Sequence, residues 1–336
     1  MMKNHEAARL KEPLMFSVSE NSMVANNSPE FTGRFNGNEL ASAGGQLLDR
    51  VLARFGPFEW VTFIYLTWVE IILFRFHRQV VHAPRAIAAH LGIALGLAVL
   101  ARRASTTQNP FGQLLRHWYP LPLYIFFFEE LQGLVHVIFP GWFDRWLIQF
   151  DFNLAGVHPS VWLNQFANPA LNDAMQFAYM TYFLFLLVLP GILYFENRLD
   201  AFWTVMTATA IAHYTVYVIA ILFPIEGPFF SLAYLHSAPL TGGPFTATIE
   251  LVERFGRVHG AAFPSAHVAG SMVALLAARR YKPWLYWICA PLFAAMCVAT
   301  VYGRYHYVAD VIAGIAVGSM AWTAAQLLMP RKLRES

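Results

Sequence analysis

Residues 264–328 read PSAHVAGSMVALLAARRYKPWLYWICAPLFAAMCVATVYGRYHYVADVIAGIAVGSMAWTAAQLL. Three apolar runs, 264–279, 284–303 and 307–328, are divided by a basic turn at Arg279, Arg280 and Lys282 and by a polar turn around Arg304 and His306. A helix needs about 20 apolar residues to cross a bilayer, because backbone groups cannot stay unpaired in hydrocarbon. The stretch therefore reads as three successive membrane helices, the first of them short.

Five further runs lie upstream: 58–76, 86–101, 118–139, 172–195 and 201–223. Glu59, Glu70 and Arg75 interrupt the first, and the second is short. The expected fold is all-α, a polytopic membrane protein with eight spans and no internal repeat. Composition agrees. The 336 residues are 57% hydrophobic and 13% charged, against about 25% charged in soluble domains. A net charge of +3 gives a nucleic-acid partner no support. Residues 1–50 are polar and aperiodic and read as a tail. They lack an apolar run behind basic residues, so no signal peptide is expected. Cys289 and Cys297 stand about 12 Å apart on one helix, too far for a bridge, and read as packing residues. Gly92/Gly96 and Gly314/Gly318 are spaced to let helices approach closely.

Orientation follows from the basic residues. With eight spans, Arg50, Arg54, Arg102, Arg103, Arg116, Arg198, Arg279, Arg280 and Lys282 share one side with the basic tail 329–336, which carries Arg331, Lys332 and Arg334. Fewer lie opposite, so the C-terminus is expected in the cytoplasm. The basic turn at 75–85 is the exception to this pattern. Residues 140–171, 224–263 and 304–306 then fall together on the outer face. The connection 224–263 is long enough to suggest function, and 245–256 reads as a short surface helix.

Two segments on that face carry chemistry. In Phe263-Pro264-Ser265-Ala266-His267, Pro suits the first turn of a helix, whose free N–H groups and dipole favour a phosphate. Ser265 can donate to a phosphate oxygen, and His267 can move a proton near neutral pH. In Arg304-Tyr305-His306-Tyr307-Val308-Ala309-Asp310, the His and Asp lie four apart on one helix face. A carboxylate there can fix the tautomer of an imidazole and leave its other nitrogen as a nucleophile. Arg304 offers a donor fork matched to phosphate. His267 and His306 are 39 residues apart, the length of one crossing and one return. Both therefore reach the same face. Singly, each residue has a plain structural explanation; together on one face they point to a site. Glu129, Glu130, His136 and His213 lie in other spans. Structural pairing is the simpler reading for them, with an intramembrane ion path as the alternative.

Phe263–His267 and His306–Asp310 resemble the second and third signatures of the type-2 phosphatidic-acid phosphatase/haloperoxidase superfamily. The Arg-Tyr-His-Tyr variant and Pro224-Ile225-Glu226-Gly227-Pro228 look most like its inositol-phosphorylceramide-synthase-like, inositolphosphotransferase branch. Asp151, Gly156 and the segment Tyr179–Pro190 share that likeness, which covers roughly 118–328. The resemblance implies a six-helix catalytic core over 118–328, with 51–117 as additional N-terminal spans. It also implies phosphoryl transfer on lipid phosphates without metal or cofactor. By analogy His306 attacks phosphorus, Asp310 orients it, His267 protonates the leaving group, and Ser265 and Arg304 hold the phosphate. The phosphatase first motif, a Lys spaced from Arg-Pro, is absent; Arg257 or Arg254 is the available replacement. Thr300 stands where the phosphatase pattern has an Arg. These departures favour the transferase branch over plain phosphatidate hydrolysis. The expected setting is a plasma (inner) membrane with the catalytic face extracytoplasmic. The competing class is a transporter or channel built on Glu129, Glu130 and His213, which would concentrate polar residues at mid-membrane.

Overall fold

The computed structural model describes residues 55–103 and 109–329. The tail 1–50, Arg54 and the basic residues Arg331, Lys332 and Arg334 lie outside the described residues. The helices, in chain order, are α1 (Pro57–Arg75), α2 (Ala83–Arg103), α3 (Pro110–Trp118), α4 (Pro120–Glu130), α5 (Asp144–Ala155), α6 (Pro159–Asn164) and α7 (Pro169–Phe195). They continue as α8 (Leu199–Leu222), α9 (Pro228–Ser231), α10 (Pro244–Gly256), α11 (Ala266–Tyr281), α12 (Pro283–Tyr302) and α13 (Val308–Leu328). Many open on proline, whose missing N–H costs nothing in a first turn. Six helices, α1, α2, α7, α8, α12 and α13, are long and apolar enough to cross a membrane. The protein is an all-helical, polytopic membrane protein.

Two expected spans differ. The run 118–139 is not one helix: α4 has 11 residues, a 3-10 turn comes next at Leu131–Gly133, and helix resumes only at Asp144. Hydropathy sees a continuous apolar run there. Pro120 and Pro122, however, cannot donate to a ladder joining α3 to α4, and Gly133 and Pro140 disfavour helix beyond α4. Even so, α4 runs beside α1 in the same sense. The Tyr119 hydroxyl donates to Glu59 at 2.7 Å near one end of α1. Near the other end, His90 of α2 lies 2.8 Å from Glu70 and 2.9 Å from a Glu130 oxygen. The second exception is α11, which has only 16 residues. It is also deeply enclosed, packing against α7, α8, α12 and α13.

The small-residue pairs behave differently from one another. A Cβ at Gly314 would stand 2.8 Å from the Ser265 carbonyl oxygen, and one at Gly318 would stand 2.4 Å from that of Ala269. Those glycines let α13 lie directly on α11. At Gly92 and Gly96 a Cβ would meet nothing within 4 Å, so the expected close approach does not occur there.

Side-chain contacts sort the connections into two ends. At one end Asp144 reaches Glu226, Gly227 and Tyr307, Asn164 reaches Ser237, and Asp173 reaches Thr246. At the other, Arg198 reaches Tyr281, Lys282 pairs with Glu196, and His117 stacks near Tyr194. Residues 140–168, 224–263 and 304–306 thus gather at a single end. The amphipathic helix α10 lies among them, matching the expected surface helix at 245–256.

Candidate active site

The turn before α13 is built on one carbonyl. Thr300, completely buried, accepts the N–H of Tyr305 at 3.0 Å and of His306 at 3.1 Å through its backbone oxygen. Arg304 takes a left-handed conformation, φ 64°, to make the turn. Opposite it, Gly227 sits at φ 91°, where a Cβ would also meet the Tyr305 carbonyl oxygen at 3.0 Å. Only glycine suits that position.

His306 is buried, and its Nδ1 lies 2.8 Å from the Ala262 carbonyl oxygen and 3.3 Å from Asp310 Oδ2. Both neighbours are acceptors, since the carbonyl can be nothing else. Nδ1 therefore carries the hydrogen and Nε2 keeps its lone pair. The expected Asp310 contact is present, but the shorter one, to Ala262, has no signature in the sequence. Asp310 Oδ2 also accepts the Tyr307 N–H at 2.8 Å, while Oδ1 is buried with no partner among the described residues.

The His267 ring lies 6.2 Å from that of His306, so the two histidines do meet. It is packed against Tyr179 at 4.5 Å and Tyr182 at 4.4 Å between ring centroids. Tyr305 stacks on Tyr179 at 4.5 Å, and its hydroxyl bonds Gln176. Ser265, completely buried, is the N-cap of α11, and its Oγ accepts the Val268 N–H at 3.3 Å. Pro264 therefore precedes the cap, rather than opening the first turn as the sequence suggests. Ser265 N–H donates to the Asp310 carbonyl at 3.1 Å, tying the two signature segments together.

Two carboxylates of α5 hold the frame. Asp144 accepts the N–H groups of Glu226 and Gly227, each at 2.9 Å, and the Tyr307 hydroxyl at 2.8 Å. Asp151 accepts the first two N–H groups of α13, from Val308 at 2.8 Å and Ala309 at 3.0 Å. Burial pushes the Asp151 carboxyl up from its ordinary value, and those two donors act the other way. Asp144 carries no signal in the sequence beyond its place, seven residues before Asp151, on the inward face of a short amphipathic helix.

The Arg304 guanidinium donates to the Ala238 carbonyl, and its Nε is buried without a partner among the described residues. His236 lies close enough to feel that charge. Burial first, and Arg304 second, push its imidazole down to about 4, so it is neutral at physiological pH. Arg257 pairs with Glu253 and lies over the Phe229 ring at 4.1 Å. Its charge is thus already engaged at the rim beside Tyr179 and Tyr305. Arg304 belongs to the same turn as His306.

Of the ion-path alternative's residues, Glu130 and His213 are paired, and Glu129 is exposed. Glu130 joins Glu70 through His90. His213 is held between Tyr182 and Thr209. His136 packs on Trp142 at 4.2 Å. Cys289 and Cys297 are free and half-buried, as expected of packing residues.

Comparison with known proteins places this arrangement. Residues 145–324 match the family profile described as the PAP2 superfamily. No curated protein and no solved structure matches the chain. The superfamily in general comprises phosphatases and phosphotransferases, and membership supports phosphatase-type activity on lipid phosphates. The match spans both signature segments and more than half of the 336 residues, and so this chain belongs to the PAP2 superfamily.

Proposed function

We propose that the protein transfers a phosphoryl group from a membrane lipid phosphate through a covalent intermediate on His306, without a metal. The reading is carried by the His306 tautomer: Nδ1 is committed to Ala262 and Asp310, and Nε2 is left bare beside His267. The Nε2 lone pair attacks phosphorus as the bond to the lipid oxygen breaks. His267 gives its proton to that oxygen. In the second half, His267 takes a proton from the acceptor hydroxyl, the acceptor oxygen bonds phosphorus, and the P–N bond breaks. Arg304 and the N–H groups of Ala266 and His267, ahead of the Val268 N–H that Ser265 takes, offset charge on the phosphoryl oxygens. Those of α13 are already taken by Asp151.

The missing Lys motif and the Arg-Tyr-His-Tyr sequence support an alcohol acceptor, as in the inositolphosphotransferase branch. Purified protein given labelled lipid phosphate, with and without a lipid alcohol, is expected to form acceptor-dependent labelled lipid. Release of inorganic phosphate alone, unaffected by alcohol, would reverse the choice of acceptor. Activity is expected to survive excess chelator and to be blocked by vanadate. Loss on chelation with rescue by magnesium would overturn the metal-free mechanism.

We also infer an extracytoplasmic site in a plasma (inner) membrane, from the Lys/Arg asymmetry. A reporter fused after Ser336 is expected in the cytoplasm, and one inserted at Thr241 outside. The reverse pattern would place the chemistry on the other face.

A further inference from the structure

We propose that Tyr182 and His213 form a fixed pair that positions His267 for proton transfer. The proposal rests on the reading of His267 as general acid and base. His213 lies in the middle of α8, 1% exposed, with both ring nitrogens engaged. Nδ1 is 2.8 Å from the Thr209 carbonyl oxygen, and Nε2 is 2.7 Å from the Tyr182 hydroxyl. The carbonyl can only accept, so Nδ1 carries the hydrogen. Nε2 is then the acceptor, and the Tyr182 hydroxyl must donate to it. One tautomer and one hydroxyl direction satisfy the set, which stops the tyrosine ring from swinging.

That ring lies against His267, 4.4 Å between centroids and tilted 53°. Tyr179, one turn earlier on α7, supports the same imidazole at 4.5 Å and 31°. Contact continues along α11. A Cβ at Gly270, three residues after His267, would stand 2.9 Å from His213 Cε1 and 3.4 Å from the Tyr182 ring. The pair therefore presses on the helix face that bears His267. Around the imidazole stand His306 before α13, Tyr179 and Tyr182 on α7 and, behind Tyr182, His213 on α8. Glu253 of α10 and Arg257, its C-cap, lie beside Tyr179. Of these, Tyr182 connects His267 to a buried imidazole whose two ring nitrogens are both engaged.

The test compares Tyr182→Phe, His213→Leu and the double variant. The reading is the single-turnover phosphoenzyme burst on an alkyl lipid phosphate and on an aryl phosphate, whose phenolate leaves without a proton. Each single variant is expected to slow the alkyl burst about tenfold, as for loss of one buried hydrogen bond. The aryl burst should stay within about twofold. The double variant should be no slower than either single one, because both remove the same constraint. kcat for the alkyl substrate should fall with KM unchanged, and the pH limb assigned through His267→Ala should shift. Equal slowing of alkyl and aryl bursts, or multiplied effects in the double variant, would overturn the pairing. Tyr182→Phe keeps the ring and decides the matter alone if His213→Leu does not fold. His267→Ala is run in parallel. If that variant shows no alkyl–aryl difference, the role of His267 itself is wrong, a failure distinct from that of the pair.

Discussion

His306→Ala is expected to lower turnover by more than about 10,000-fold, the scale seen when a catalytic nucleophile is removed. It should also abolish any acid-labile phosphoenzyme on alkyl and aryl substrates alike. No other imidazole among the described residues combines a bare nitrogen with a committed partner at the meeting of both signature segments. His267 is packed against two tyrosines. Asp310→Asn should be impaired less than His306→Ala, because the Ala262 carbonyl at 2.8 Å still holds the hydrogen on Nδ1. Rapid quench with labelled lipid phosphate measures both. A normal burst in His306→Ala would remove the mechanism.

Asp144→Ala is expected to destabilise the protein by about 2–6 kcal/mol, since it leaves two backbone N–H groups unpaired at about 1–3 kcal/mol each, while the Tyr307 hydroxyl keeps Ser231. The carboxylate takes three hydrogen bonds, from Glu226, Gly227 and Tyr307, in a buried position. Losing it frees the segment that carries Ile225, whose carbonyl accepts the Ala262 N–H at 3.2 Å. The Ala262 carbonyl would then drift from His306. Tyr307→Phe deletes one bond of the three together with the hydroxyl's bond to Ser231, and should cost about 1–2 kcal/mol. Thermal unfolding in detergent, read alongside the phosphoenzyme burst, tests this. An Asp144→Ala protein as stable as the parent would show that the clasp does not hold the site.

The sequence carries the long helices because α7, α8, α12 and α13 announce themselves by continuous apolar runs. It also carries the meeting of His267 and His306, because two crossings return the chain to its starting face. What it hides is what distant partners decide. The Tyr307–Asp144 bond joins residues 163 apart, and the Tyr182–His213 bond joins different helices. No local pattern announces either. The 118–139 run misleads because hydropathy counts side chains, while Gly133 and Pro140 act through the backbone beyond Glu130. For Arg257 the charge is legible, but its pairing with Glu253 one turn earlier depends on how the end of α10 is built.

The Glu70–His90–Glu130 bridge bears on where this protein can be cut. The family match begins at 145, so α1 and α2 lie outside it and look like a removable preface. A chain shortened to start after residue 103 would strip Glu130 of His90, Tyr119 of Glu59 and Tyr214 of Thr62. A carboxylate and two phenols would then face hydrocarbon, where unpaired polar groups are expensive. Through these three contacts α1 and α2 complete the polar pairing of α4, α8 and the turn before α4, so a chain cut after residue 103 is expected to be less stable than the whole.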